Sequence, residues 1–233
     1  MEASGAPAAS VGALARLDEI TRRLRRECPW DREQDERSIV PHTVEEAYEL
    51  ADAAHSGDDR RLIDELGDVL FQVLFLSLLL EERGAGDLGA VAEHCRQKLI
   101  RRHPHVFAQV EVADAADVLS NWDEIKRGEP GRAAGVFGEV PENLPALLYA
   151  RKLQRRASSA GKPAFSTAEP LDRLAQERAR LAAAAGREQR FEAAGELLFA
   201  AVAVARELDV DPELALRAAA DRFRRRTEEE SAQ

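Results

Sequence analysis

Residues 60–82, RRLIDELGDVLFQVLFLSLLLEE, decide the fold. After Asp68 the stretch is apolar on nearly every side of a 3.6-residue turn, so it reads as a helix that neighbours must enclose, from this chain or from a second subunit. Its most apolar part, Val69 to Leu80, is broken by Gln72 and Ser77 and bounded by Asp68 and Glu81. That is well short of the ~20 residues a membrane-spanning helix needs. It is the expected central helix of a bundle.

Upstream, Ser56-Gly57-Asp58-Asp59 gives a stop and a new start, and a helix from Thr43 to about His55 precedes it, making a helical hairpin. Leu14, Leu17, Ile20 and Leu24 recur at helical spacing, so a first helix follows a flexible segment 1–13 and ends near Cys28-Pro29. Downstream, residues 87–102 form a helix that stops before His103-Pro104, because a residue preceding proline disfavours the α conformation. A short helix over Asp117 to Arg127 closes a first domain, 14–127. The segment 128–145, GEPGRAAGVFGEVPENLP, is rich in Gly and Pro and reads as a linker. Beyond it, Ala146 to Ser159, Leu171 to Ala185, Glu188 to Leu208 and Pro212 to Glu228 look helical, giving a second domain, 146–228, and a solvated tail, 229–233.

Composition agrees with an all-α protein. Apolar residues reach 45%, enough for a core, while aromatics are only 5% and charged residues 33%, with Ala, Leu, Arg and Glu dominant. A net charge of −10 argues against a broad footprint on nucleic acid or an anionic membrane. A polyanionic small molecule stays open where a metal neutralises it. The start, MEASGAPAASVGALARL, has no basic segment followed by an apolar one, and Cys28 and Cys95 are too few for a disulfide framework. A cytoplasmic location is expected.

The chemistry is carried by carboxylates. Glu46 and Glu49 stand three residues apart in one helix of the hairpin, Glu65 and Asp68 three apart in the other. That spacing puts each pair on one helix face. Two such faces turned together make a hard oxygen cage suited to Mg²⁺. The plainer alternative is that Thr43 and Glu46 form a capping box. Asp68 is harder to explain that way, since a carboxylate where a strongly apolar helix begins is costly unless paired or metal-bound.

Lys98, Arg101 and Arg102 crowd one helix end, with Lys126 later, and such groups bind phosphate, although helix-dipole complementation also places basic residues there. Trp122 and Trp30 suit stacking on a base or packing in a core. His42, His103, His105 and the cysteines lack zinc-ligand spacing, and no glycine-rich phosphate loop or GxSxG is present.

The ordered strings Cys28-Pro29-Trp30-Asp31-Arg32-Glu33-Gln34, Thr43-Val44-Glu45-Glu46-Ala47-Tyr48-Glu49, Glu65-Leu66-Gly67-Asp68, Lys98-Leu99-Ile100-Arg101-Arg102-His103-Pro104-His105-Val106-Phe107 and Asn121-Trp122-Asp123-Glu124-Ile125-Lys126 closely resemble the MazG family of nucleoside triphosphate pyrophosphohydrolases. The resemblance covers residues 14 to 127, and the remainder resembles the second MazG-like domain of two-domain members more weakly. It implies a MazG-like helical bundle, a tandem repeat of two related domains, that forms a homodimer. The implied reaction is hydrolysis of a nucleoside triphosphate between its α and β phosphates, giving the monophosphate and pyrophosphate, for nucleotide-pool house-cleaning.

By motif matching the resemblance puts Mg²⁺, with Mn²⁺ as a substitute, on Glu46, Glu49, Glu65 and Asp68, and leaves Glu45 or Glu49 to take the proton of the attacking water. It puts the nucleotide on His42, Thr43, Glu45, Arg61, Asp64, Lys98, Arg101, Arg102, Trp122 and Lys126, with Trp30 as a further stacking surface. Arg61 stands where some relatives have lysine, which keeps charge but changes donor geometry. A non-catalytic nucleotide sensor on the same fold is the alternative, and the intact carboxylates count against it. A di-iron bundle would need a Glu-x-x-His pair. In the second domain, setting Gly195-Glu196-Leu197-Leu198-Phe199 against Gly67-Asp68-Val69-Leu70-Phe71 puts Ala193 opposite Glu65. The upstream register sets Glu177 opposite Glu46 and Arg180 opposite Glu49, so the second copy is expected to be degenerate.

Overall fold

The computed structural model describes residues 6–108, 110–129, 135–138, 140–141, 143–162, 165 and 170–231. Every regular element among them is a helix: α1 (Ala6–Glu27), α2 (Pro29–Glu33), α3 (Glu36–Ser56), α4 (Asp59–Glu82), α5 (Leu88–Arg102), α6 (Pro104–Phe107), α7 (Ala115–Arg127), α8 (Ala146–Ser159), α9 (Pro170–Ala183), α10 (Arg187–Glu207) and α11 (Pro212–Ser231). The all-α class expected from composition is the class observed. No described helix is long and apolar enough to cross a membrane. The chain divides into two compact units, Met1–Ile100 and Arg101–Gln233, with the division inside α5. Much of the stretch read as a linker, 128–145, lies outside the described residues.

In the first unit α3 and α4 pack as a hairpin. The turn between them is made by Gly57 in the left-handed region, φ 70°, where a Cβ would be strained, followed by Asp58, whose carboxylate accepts the N–H groups of Arg60 and Arg61. Ile39, Phe75 and Leu79 form the core, with Phe71 and Leu76 against it. α1 lies against α4 and is tied to its far end: Arg22 donates to both oxygens of Glu81 and Arg25 to both oxygens of Glu82. Arg25 also donates to the carbonyls of Asp31 and Gln34 and sits 5.8 Å over the Phe75 ring, so one guanidinium fixes α1, α2 and α4.

Two starts differ from expectation. α1 begins at Ala6, ahead of the first apolar position, because Ala-rich sequence needs no packing partner to prefer helix. α3 begins at Glu36, not near Thr43. Asp35 Oδ1 accepts the N–H groups of Arg37 and Ser38 at 2.9 and 2.8 Å, and Ser38 Oγ accepts the N–H of Asp35, a reciprocal capping box. The capping reading of Thr43 and Glu46 therefore falls: both are mid-helix residues.

α4 is only partly enclosed by its own unit. Leu74, Phe75, Leu78 and Leu79 are buried, whereas Ile63, Leu66, Leu70 and Val73 remain 71%, 50%, 40% and 40% exposed. These four are spaced i, i+3, i+7, i+10, the seam of a helix pair.

The second unit repeats the plan: α9 packs along α10, and α8 lies against α10, as α3 and α1 do against α4. Gln154 on α8 donates to the Phe199 carbonyl on α10, and Ala193, Ala200, Val202 and Ala203 are buried. Asp211 caps α11 through the N–H groups of Glu213 and Leu214 and pairs with Arg151 of α8 at 2.9 Å.

Candidate metal centre

The α3–α4 hairpin turns the two acidic faces together. Glu46, Glu49 and Glu65 each place one carboxylate oxygen so that all lie within 4.8 Å of one another. Asp68, one turn beyond Glu65, is not in that trio, yet its charge bears on it. The Glu46 carboxyl is held above the ordinary carboxylate range by desolvation first and then by Asp68, Glu49, Glu65 and Glu45. Glu65 is raised by desolvation, Glu49, Asp68 and Asp64, against the opposing pull of Arg61.

Among the described residues no ion pair engages Glu46, Glu49, Glu65 or Asp68. Clustered carboxylates that repel one another and have no ion-pair partner among the described residues are a fit for a hard divalent ion, which takes oxygen ligands and removes the repulsion. The residues present thus suit a metal.

A buried amide supports this arrangement from behind. Gln72, one turn beyond Asp68, is buried, and its Oε1 stands 3.5 Å from Thr43 Oγ1, one turn before Glu46. Thr43 Oγ1 also lies 3.3 Å from the Ile39 carbonyl. The contact spans α3 and α4 at one level. In the sequence Gln72 registers only as an interruption of an apolar run; its signal is that a buried amide must find a partner.

The other expected residues fall into separate groups. Glu45 is outside the trio, its side chain 65% exposed and 3.8 Å from His42 Nδ1, and the His42 ring meets Trp30 edge-on at 5.7 Å. Arg61 and Asp64 are exposed near the start of α4, and Lys98 lies on α5.

Arg101, Arg102, Trp122 and Lys126 fall in the second unit, where Lys126 Nζ is 5.0 Å and Arg102 Cζ 5.7 Å from the Trp122 ring centroid. The Trp122 indole N–H is buried without a hydrogen-bond acceptor. Sequence reasoning missed the acceptor at the centre of this group, Glu129. It takes Arg102 Nε and Nη2 at 2.9 and 2.6 Å and Arg101 Nη2 at 2.8 Å.

The position opposite Glu46 in the second unit looks different. Glu177 is buried, 2.6 Å from Arg173 Nη2 and 3.7 Å from Arg180 Nη1, so two guanidiniums on its own helix face the carboxylate.

Comparison with known proteins adds to this geometry. Residues 34–107 match the MazG nucleotide pyrophosphohydrolase domain. The chain is 37% identical to the nucleoside triphosphate pyrophosphohydrolase of Escherichia coli (strain K12) over 94% of this chain and 87% of the other. It is 38% identical to the nucleoside triphosphate pyrophosphohydrolase/pyrophosphatase MazG of Thermotoga maritima over 84% of this chain and 76% of the other. A crystal structure of a mazG-related protein from Thermotoga maritima covers 48% of this chain and 97% of its own, with 26% identity and a TM-score of 0.42. The matched segment contains the whole α3–α4 carboxylate hairpin and the likeness runs through both units, so the chain belongs to the MazG family of nucleotide pyrophosphohydrolases.

Proposed function

We propose that the chain is a Mg²⁺-dependent nucleoside triphosphate pyrophosphohydrolase, acting in the cytoplasm on NTPs or dNTPs and releasing the monophosphate and pyrophosphate. The observation that carries the reading is the trio of carboxylate oxygens within 4.8 Å across the hairpin. Glu46, Glu49, Glu65 and Asp68 would hold the ion. When bound, it would supply positive charge to offset the charge that builds as the α–β anhydride breaks.

This chain's residues supply the rest. Glu45 or Glu49 takes the proton of the attacking water, a role that needs a carboxylate within hydrogen-bond reach. Glu45→Gln would then lower kcat with metal affinity retained, whereas Glu49→Gln loses both. In this reading Trp30 on α2, His42, Thr43, Arg61 and Asp64 on the hairpin, Lys98, Arg101 and Arg102 on α5, and Trp122 and Lys126 on α7 contact the nucleotide. Such stacking tolerates any base, in keeping with house-cleaning of surplus or damaged nucleotides.

The deciding experiment offers a panel of NTPs and dNTPs with Mg²⁺, then with Mn²⁺, and reads monophosphate and pyrophosphate separately from orthophosphate. Orthophosphate as the first product would refute the cleavage position.

Two assignments accompany the activity. The chemistry belongs to residues 14–127, and 146–228 are a degenerate copy whose Glu177 is neutralised by Arg173 and Arg180. The working form is a homodimer. Its support is the exposed seam Ile63, Leu66, Leu70 and Val73, whose cover by a second copy removes apolar surface from water. Sedimentation should give a dimer at micromolar concentration and a smaller species for Leu70→Lys; a wild-type monomer would count against it.

A further inference from the structure

The basic cluster of the second unit has a feature that phosphate binding does not explain. Arg102 is among the most buried charged residues, its side chain 8% exposed, and its partner Glu129 is 10% exposed. The Glu129 carboxylate grips the Nε–Nη2 edge of Arg102 with both oxygens and also receives Nε and Nη2 of Arg101. Two adjacent guanidiniums converging on the oxygens of one anion is also the arrangement in which arginines hold a phosphate group. Arg102 also stands 5.7 Å over the Trp122 ring, whose indole N–H is buried with no acceptor and whose centroid is 5.0 Å from the Lys126 ammonium.

An ordinary ion pair matches one cation to one anion; here two guanidiniums converge with four N–H groups on one carboxylate, a donor set that also suits an ion of higher charge and more oxygens.

We infer that Glu129 is an internal stand-in for substrate phosphate: its carboxylate occupies the Arg101–Arg102 pair in the unliganded protein, and the nucleotide's polyphosphate displaces it. The inference rests on the reading that Arg101 and Arg102 bind the nucleotide, and it adds a residue that sets the affinity. Glu129 lowers the apparent affinity for every phosphorylated ligand alike, because each must compete with a tethered anion. A triphosphate, with more oxygens and charge, wins the exchange.

The test uses the full chain and inorganic tripolyphosphate as probe without metal, alongside KM for an NTP with Mg²⁺. Glu129→Gln keeps the shape and can still accept from a guanidinium, so its fold is expected to persist, and a thermal melt checks this. It should bind tripolyphosphate several-fold tighter and show a KM several-fold lower. Glu129→Asp, which retracts the charge by one methylene, should fall between wild type and Glu129→Gln. If Glu129 instead only supports the arginines, both variants bind tripolyphosphate equally or more weakly and KM rises, which overturns the inference. Arg102→Gln placed in the Glu129→Gln background separates the two levels. Tripolyphosphate binding weaker than that of Glu129→Gln shows that the arginine holds phosphate, so that a failure of Glu129→Gln to exceed wild type then counts against the stand-in alone. No loss at all means that the underlying nucleotide contact is wrong.

Discussion

Replacing Glu49 by Gln or Asp68 by Asn leaves volume and helix propensity nearly unchanged but withdraws a charged oxygen from the α3–α4 face. Pyrophosphate release should fall by at least ~10²-fold, since even groups behind metal ligands are worth 10–100-fold, while circular dichroism and melting stay close to wild type. A variant that keeps most of its turnover would remove that residue from the ligand set. The raised Glu46 and Glu65 carboxyls add a pH dependence with a definite sign. Their native pKa values lie above the ordinary 4.5, so between 4.5 and the raised values the folded state holds more protons than the unfolded one. Their contribution to the metal-free protein is thus unfavourable at neutral pH and is relieved as pH falls towards 4.5. Metal-free Glu46→Gln should accordingly melt above wild type at neutral pH, with the gap closing on acidification. With saturating Mg²⁺ the order should reverse, because only wild type gains the full binding energy. Melts in chelator and in Mg²⁺ across pH would show either crossing or its absence. At this scale the acidic pairs are legible in the sequence because i, i+3 spacing is a local fact. Gln72 and Glu129 are not, because each acquires meaning only from a partner twenty or more residues away, Thr43 in one case and the Arg101–Arg102 pair in the other.

Among the elements, α3 shows why a start can be misread. Thr43 followed by Glu46 fits the same capping template as Asp35 followed by Ser38, and nothing local chooses between them. Tertiary structure chooses: Ile39 is buried in the core with Phe75 and Leu79, which draws the turn before Thr43 into the helix despite Pro41. Asp35→Ala should cost about 1 kcal/mol, lowering the melting temperature by roughly 2–4 °C for a chain of this size, whereas Thr43→Ala should show no loss of a cap. Equal effects would return the cap to Thr43. The Arg22–Glu81 and Arg25–Glu82 pairs that hold α1 to α4 have their own pH signature. Both carboxylates are lowered by their arginine hydrogen bonds, so their stabilisation is present above about 4.5 and lost as pH falls through the lowered values. This opposes the relief at Glu46, which is why the comparison with Glu46→Gln is needed to isolate it. The nearly all-round apolar reading of α4 translates into two faces: one closes the core of its own unit, and the other, Ile63 to Val73, stays exposed. Periodicity marks both as apolar and cannot say which neighbour covers which.

Taken whole, the molecule holds the same helix plan twice but solves the problem of a carboxylate between helices in two ways. In the first unit Glu46 and its neighbours face one another with no ion pair among the described residues; in the second Glu177 faces Arg173 and Arg180, and in the register proposed above Ala193 falls opposite Glu65. A metal needs several oxygens, and an arginine at the position of Glu49 repels it. These substitutions predict opposite consequences for equivalent changes in the two units of the intact chain. Glu46→Gln should abolish both Mg²⁺ binding, read by calorimetry, and turnover, leaving no residual activity for the second unit to supply, with the metal-free fold intact. Arg173→Ala should do the reverse. It strands the Glu177 carboxylate, whose side chain is only 4% exposed, beside the more distant Arg180, and a buried acceptor deprived of its donor costs about 1–3 kcal/mol. Melting temperature should drop by several degrees while KM and kcat, measured well below the new midpoint, stay within experimental scatter of wild type. Mg²⁺-dependent heat or pyrophosphate release surviving in Glu46→Gln would mean that the second unit is an active site in its own right. Loss of turnover in Arg173→Ala without loss of stability would mean that the second unit takes part in the reaction through a route its replaced ligands do not suggest.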